Sequence, residues 1–331
     1  MLAGFGRLRK GLFGIPLEEI RAGRRGFEAA RPAVRERLES IGEVFVGGYH
    51  AALLDNDPGS LAASLDSVAS ELRGFAFEGA AMGLALSDML APWRSSRWAA
   101  FAAGPARIHA YMVHVGAGWM LARLRRRPET ALARMDPLLR WLAMDGYGFH
   151  EGYFHARECI DRKRVPRRLA GYARRAFDHG LGRSLWFVKG ADAERIAHVI
   201  AGFSANRQAD LWSGIGLACA YAGGVDRAAL GCLRASAVER LPQLAQGAAF
   251  AAKARERAGN PAAHTELACE VLCGMPAREA AAITDAALQD LPPDGADPAY
   301  ETWRRRIQDR FAGNEPRGFI RSPNFVTDAE P

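Results

Sequence analysis

The chain has 331 residues, of which 49% are hydrophobic and 24% are charged, as is ordinary for a soluble globular protein. The net charge is +7 and is carried mostly by Arg. Short basic clusters occur at 7–10, 123–127 and 161–168, and none contains interleaved aromatic residues. These clusters predict solvated helix ends and loops, so we expect no nucleic-acid partner.

The cysteines and the uncharged runs both indicate a cytoplasmic protein. Five cysteines form no CxxC pair, which favours small buried side chains in a reducing compartment. The longest uncharged runs, 108–122 and 211–225, are shorter than the roughly 18–20 residues that cross a bilayer. The N-terminal MLAGFGRLRKGLFGI predicts a basic arm over residues 1–30, with at most peripheral membrane contact.

Residues 31–312 predict a single all-α domain, with a tail over 313–331. Alanine, leucine and arginine dominate, and apolar residues recur at spacings of three and four. Glycine and proline motifs predict the helix breaks: Asp57-Pro58-Gly59, Ala91-Pro92, Gly104-Pro105, Gly223-Gly224, Gly259-Asn260-Pro261 and Leu291-Pro292-Pro293. The segments between them predict helical hairpins stacked into an α-solenoid or superhelical array.

Internal similarities support a repeat architecture. Residues 211–237 have the spacing of a tetratricopeptide unit, with Gly216 where its two helices cross. Two weaker similarities pair 77–86 with 177–187 and 99–118 with 201–218, each about a hundred residues apart. They predict a degenerate duplication of blocks 70–165 and 170–275. The alternative is that helices rich in alanine and glycine resemble each other by composition.

The stretch DGYGFHEGYFHARE, which begins at Asp145, concentrates histidines, carboxylates and aromatic rings. Its two leading glycines predict the end of one helix. A second helix from Phe149 would place Glu151, His155 and Glu158 on one face. A carboxylate beside an imidazole can transfer protons or ligate a metal. The alternative interpretation is a hydrogen-bonded polar seam between packed helices.

On a continuous helix His150 and His155, five residues apart, point away from each other, so no metal site is predicted. The candidate catalytic residues are Glu151, His155, His114, Glu78 and Asp145. The candidate ligand-binding residues are Phe149, Tyr153, Trp119, Arg183, Trp186 and Trp212. The three tryptophan rings suit a flat unsaturated molecule, and Arg183 suits stacking on an aromatic ring or binding of an anion. Buried carboxylates, lone histidines and tryptophans on apolar helices can equally be core residues. Standard phosphate and dinucleotide motifs are missing, so the sequence identifies no cofactor.

Six phrases together carry a family resemblance: GFAFEGAAMGLAL, YMVHVGAGWMLARL, LLRWLAMDGYGFHEGYFH, YARRAFDHGLGRSLWF, ADLWSGIGLACAYAGG and AQGAAFAAKARERAGN. From about residue 30 to residue 312 the chain resembles the UnbL-type family of enediyne biosynthesis proteins. The resemblance implies a bacterial enediyne warhead cassette, with an iterative polyketide synthase that makes a linear conjugated polyene, a thioesterase and further accessory proteins. It implies a role in maturation of that polyene and identifies no catalytic residue.

Two classes of function follow. In the first, the protein is an enzyme or enzyme subunit that acts on the polyene or another apolar polyketide intermediate. In the second, it is a non-catalytic helical scaffold that assembles the other accessory proteins. A deep apolar pocket lined by Glu78, His114, Glu151 and His155 would favour the first, and a shallow concave surface would favour the second.

Overall fold

The computed structural model describes residues 2–28, 31–93, 95–125 and 127–313, and within these ranges every regular element is a helix. The all-α prediction is therefore confirmed. Of the predicted C-terminal tail, residues 314–331 lie outside the described residues. The inner layer consists of α3 (Pro32–Leu54), α5 (Ser70–Leu90), α7 (Ala110–Arg123), α9 (Arg140–Phe154), α10 (Tyr172–Val188), α12 (Ala205–Ala222) and α14 (Leu241–Ala258).

The other α-helices connect or cover this layer. They are α1 (Leu2–Phe13), α2 (Ala22–Arg25), α4 (Pro58–Leu65), α6 (Arg97–Ala103), α8 (Glu129–Leu132), α11 (Ala193–Ala201), α13 (Arg227–Ser236), α15 (Ala263–Leu272), α16 (Ala277–Ala286) and α17 (Ala299–Ala312). Helix boundaries fall at the predicted breaks. At the first of them Pro58 begins α4, and the Asp57 side chain accepts the N–H groups of Gly59 and Ser60, as an N-cap does.

Glycines let each inner helix pack closely on the next one along the chain. On α9, Gly146 faces the carbonyl oxygen of Val115 in α7, and Gly148 faces that of Phe177 in α10. A Cβ atom at either glycine would lie 2.0 Å from that oxygen. Residues two apart in sequence lie about 200° apart around a helix. The two glycines are therefore on opposite sides of α9, and each contacts a different neighbouring helix.

The same pair recurs on three other inner helices, as GAG (116–118), GLG (180–182) and GIG (214–216). In each pair the first glycine contacts the preceding inner helix and the second contacts the following one. Successive pairs are about 30 to 34 residues apart. The predicted offset of about a hundred residues therefore corresponds to three successive inner helices. Gly79 and Gly180 are equivalent, because each contacts the inner helix that precedes its own.

Two local predictions made from glycines are wrong. Helix α9 continues through Gly146 and Gly148 and ends only at Phe154. Glycine weakens an exposed helix by about 1 kcal/mol relative to alanine, but here it allows close packing on both flanks. In the predicted tetratricopeptide unit, Gly216 contacts the carbonyl of Leu244 in α14, so its crossing does not involve α13.

Hydrogen bonds join the first two inner helices to the last two. Arg37 of α3 donates from Nε to the carbonyl oxygen of Ala222 in α12 at 2.9 Å. Arg255 of α14 donates from Nη1 to the carbonyl oxygen of Glu71 in α5 at 3.0 Å. Buried apolar residues from both predicted blocks belong to one continuous core. The seven helices therefore surround a shared interior.

The described part of the predicted basic arm, residues 2–28, packs on this layer instead. Helix α1 lies on α3, and the segment after it buries Ile15 and Ile20. Arg25 then donates from Nη2 to the carbonyl oxygen of Phe154, at the end of α9, at 2.7 Å. This segment, residues 13–28, forms a cover over the interior and is called the N-terminal cover below.

Membrane contact was predicted to be peripheral at most. Among the described residues, no helix has the length and apolar character needed to cross a bilayer. Helix α1 exposes Phe5, Leu8 and Leu12, which are spaced along one side of the helix. Contact of this surface with a membrane stays a prediction.

Candidate functional site

The inner helices enclose an apolar cavity. The space between its wall atoms, counted together with the part open to solvent, is about 1060 Å³. All seven inner helices contribute to its wall, together with Ile15 and Ile20 of the N-terminal cover and Trp303 of α17. The cavity is lined mainly by aromatic and aliphatic side chains.

The glycine pairs set which residues face the cavity. Counted from the first glycine on α7, α9, α10, α12 and α14, the residue three positions later lines the wall: Trp119, Phe149, Arg183, Leu217 and Phe250. The residue seven positions later lines it on the last four helices: Tyr153, Phe187, Tyr221 and Ala254. Both positions lie on the side of the helix between its two glycines, and this side faces the cavity. This spacing from the glycines is visible in the sequence and would have added Phe187, Tyr221 and Phe250 to the candidate ligand-binding residues.

Glu78 is the carboxylate in the cavity wall. Its Oε1 atom accepts a hydrogen bond from Nε1 of Trp119 at 2.9 Å. Burial raises the pKa of Glu78 to about 7, with Asp145 adding to that rise and Arg183 opposing it. A carboxyl group with such a pKa exists in both protonation states near neutral pH, as a general acid or base requires.

Arg183, in the cavity wall, belongs to a buried ionic cluster. Its Nη1 donates to Asp145, whose other carboxylate oxygen is bonded to Nδ1 of His179. Burial alone would raise the pKa of Asp145, but Arg183 and His179 outweigh it and lower the pKa below its ordinary value. The guanidinium also lies 5.1 Å from the ring centre of Phe149. Asp145 therefore neutralises and orients Arg183 and does not itself line the cavity.

Besides Asp145, Glu151 and His155, three predicted site residues lie outside the cavity wall. Nδ1 of His114 is 2.7 Å from the carbonyl oxygen one turn earlier in α7, and burial lowers the pKa of His114. Trp186 donates from Nε1 to the carbonyl oxygen of Gly223 at 3.1 Å, and Trp212 is buried. These side chains are core residues, so the predicted convergence of His114 with Glu78 on one pocket does not occur.

Glu151 and His155 come together with His150 outside the cavity wall. Because α9 ends at Phe154, His155 leaves helical geometry, with φ −127° and ψ 41°. Oε1 of Glu151 lies 3.3 Å from Nδ1 of His150 and 3.5 Å from Nδ1 of His155. The prediction that the two histidines point apart is wrong. Glu158, expected on the same face, lies in a π-helical turn and forms ion pairs at the surface.

Burial and mutual contacts set the protonation states in this second cluster, which consists of His150, Glu151 and His155. Burial alone would raise the pKa of Glu151, but the two neighbouring imidazoles outweigh it and lower the pKa to about 2. Burial also lowers the pKa of His150. An ionised carboxylate therefore stands beside a neutral His150, and the rings of Trp119 and Phe154 separate the cluster from the cavity.

Comparison with known proteins identifies the family of the chain. A family described as "Protein of unknown function (DUF1702)" matches residues 4–311. No curated protein matches the chain, and no solved structure matches it. The match covers most of α1, the N-terminal cover, the inner layer and nearly all of α17, so it includes the whole cavity wall.

Proposed function

The chain belongs to the DUF1702 family, and we propose that it binds an apolar, conjugated polyketide intermediate in the cavity and exchanges a proton with it through Glu78. The observation that carries this proposal is the position of Glu78, a carboxyl group with a pKa of about 7 that faces an aromatic cavity. Groups with strongly shifted pKa values that face a pocket are typical of acid–base sites.

The proposed chemistry needs no oxidant or reductant. Protonated Glu78 donates its proton to one carbon of the conjugated chain, and the positive charge spreads over that chain. The resulting carboxylate removes a proton from another carbon, which shifts double bonds and restores the acid. The ring of Trp119, which lines the wall and is hydrogen-bonded to Glu78, stabilises a delocalised cation beside it by cation–π attraction.

The biological setting of the proposal comes from the sequence resemblance to UnbL-type proteins. In that setting the ligand is the linear polyene of the warhead polyketide synthase, and the protein acts in its maturation toward the enediyne core. Other accessory proteins of the cassette are its proposed partners. The aromatic and aliphatic lining of the cavity supports this proposal, because it suits an unsaturated hydrocarbon.

A non-catalytic scaffold is supported less well by the geometry. Scaffolds built from helical repeats bind partners on an extended concave surface. Here the inner faces of the seven helices surround the cavity, and the N-terminal cover packs across them through Ile15 and Ile20. A ligand of small-molecule size suits that enclosed interior better than a protein partner does.

Coexpression tests the proposed function directly. The polyene synthase and thioesterase are expressed with this protein or its variants, and the products are compared by mass spectrometry. We expect the wild type to change the product profile, and Glu78→Gln to abolish that change while remaining folded. Glu36→Gln, the same substitution at an exposed position of α3, is the matched control. A Glu78→Gln variant that supports the full product profile would contradict the proton-transfer role.

A further inference from the structure

We propose that His150, Glu151 and His155 form a binding site for a divalent transition-metal ion of the Fe(II) or Zn(II) class. Two imidazoles and one carboxylate form the donor set that holds such ions while leaving coordination positions open for water or substrate. The three donor atoms lie within 4.8 Å of one another. This inference is independent of the ligand proposed for the cavity.

Donor distances in the cluster are longer than those of strong hydrogen bonds, although His150 and Glu151 remain within hydrogen-bonding range. Glu151 Oε1 lies 3.3 Å and 3.5 Å from the two imidazole Nδ1 atoms, whereas charge-assisted hydrogen bonds measure about 2.7–2.9 Å. Donors bound to one ion at about 2.0–2.2 Å, in tetrahedral or octahedral geometry, lie about 2.8–3.6 Å apart. The two carboxylate–imidazole separations therefore suit groups arranged around an ion, and the three donors together lie within 4.8 Å of one another.

Hydrogen bonding within the cluster is incomplete. Nδ1 of His155 is buried and has no hydrogen-bond partner, although His155 as a whole is partly exposed. The side chains of His150 and Glu151 are largely buried. A buried carboxylate without a full set of partners is costly, and a bound cation would satisfy both it and the orphaned nitrogen.

The backbone at the end of α9 brings His155 close to His150 and Glu151. A continuous helix would carry His155 away from His150, but α9 ends one residue earlier and a π-helical turn (Arg157–Asp161) follows. Irregular helical turns of this kind are frequent at functional sites. The ring of His150 lies 5.7 Å from that of Trp119 and 4.8 Å from that of Phe154. Because both rings line the cavity, one layer of side chains separates the proposed ion from it.

Metal titration tests the site without any assumption about a substrate. Full-length protein is stripped with a chelator, dialysed and titrated with Co(II), whose visible absorption reports its ligands, and then Zn(II) is added as a competitor. We expect one equivalent of Co(II) to bind and Zn(II) to displace it. His155→Ala should weaken Co(II) binding at least tenfold. His198→Ala, an exposed histidine of α11, should bind Co(II) as the wild type does.

Thermal unfolding separates a metal site from a structural cluster. Because metal binding stabilises the folded state, Zn(II) should raise the Tm of the wild type and of His198→Ala. It should leave the Tm of His155→Ala and Glu151→Gln unchanged. His155→Ala is expected to fold because its side chain is partly exposed. Absence of stoichiometric Co(II) binding by the wild type, or equal affinity in His155→Ala, would overturn the inference.

Discussion

Gly216 of α12 and Gly247 of α14 each face the backbone of the other's helix. A Cβ atom at Gly216 would lie 1.9 Å from the carbonyl oxygen of Leu244, and one at Gly247 would lie 1.9 Å from that of Ser213. The two helices are therefore as close as backbone atoms permit at this crossing. Equivalent contacts hold each inner helix against its neighbours and give the cavity a rigid wall.

Replacement of Gly216 by alanine should disrupt this crossing. The added methyl group meets backbone rather than a movable side chain, and overpacking of this kind costs about 1–3 kcal/mol or more. Chemical denaturation measures the loss in free energy of unfolding. Gly231→Ala is the control, because Gly231 of α13 has no atom within contact distance of an added Cβ. There the substitution should stabilise the helix by up to about 1 kcal/mol, and equal effects at both positions would contradict the packing role.

Glu78→Gln should remove one component of the pH dependence of stability. The carboxyl pKa rises from 4.5 in the unfolded chain to about 7 in the fold, so between these values the folded state binds more protons. The free energy of unfolding of the wild type therefore falls as pH rises through this window, by about 3 kcal/mol from this group.

The uncharged glutamine lacks this loss and can still accept the Trp119 hydrogen bond. Urea denaturation of both proteins at pH 5 and pH 8 gives the comparison. Relative to the wild type, Glu78→Gln should be more stable at the higher pH than at the lower one. A constant difference across this range would show that Glu78 does not titrate with a raised pKa.

Ala218→Phe should fill the cavity without unfolding the protein. Ala218 of α12 lines the cavity, so a ring added there enters apolar space and gains buried area. We expect the affinity for parinaric acid, a fluorescent conjugated tetraene, to fall at least tenfold while the free energy of unfolding holds or rises. Ala220→Phe, on the same helix but fully buried away from the cavity, should be destabilised instead. Undiminished binding by Ala218→Phe would place the ligand elsewhere.

Arg25→Ala should loosen the N-terminal cover. Its Nη2 donates to the carbonyl oxygens of Tyr153 and Phe154 at 3.1 Å and 2.7 Å, and its Nη1 donates to Glu19 at 2.9 Å. Loss of these bonds should cost about 1–3 kcal/mol and raise the association rate of parinaric acid several-fold in stopped-flow fluorescence. Arg24→Ala, an exposed neighbour, is the control. An unchanged rate in Arg25→Ala would mean that the ligand enters by another route.

Much of the helical framework was predictable from sequence because it depends on local interactions. Proline, glycine and side-chain caps act within one turn of the chain, so the breaks at Pro58 and Gly223 are found where the motifs predict them. Among the site residues, Glu78, Trp119, Phe149, Tyr153 and Arg183 were predicted and do line the cavity. Each is a polar or aromatic residue beside a small residue on an apolar helix. This pattern can be recognised in the sequence because the small residues mark where neighbouring helices pack.

The sequence by itself determined the helices, most of their ends and the small residues at which they cross. Only the tertiary structure decided whether a glycine ends a helix or lies at a crossing, because Gly148 continues α9 only when a neighbouring backbone covers it. Tertiary contacts likewise brought His155 beside His150 and folded the N-terminal residues across the cavity. Such outcomes depend on contacts between residues far apart in sequence, and spacing along one helix carries no information about them.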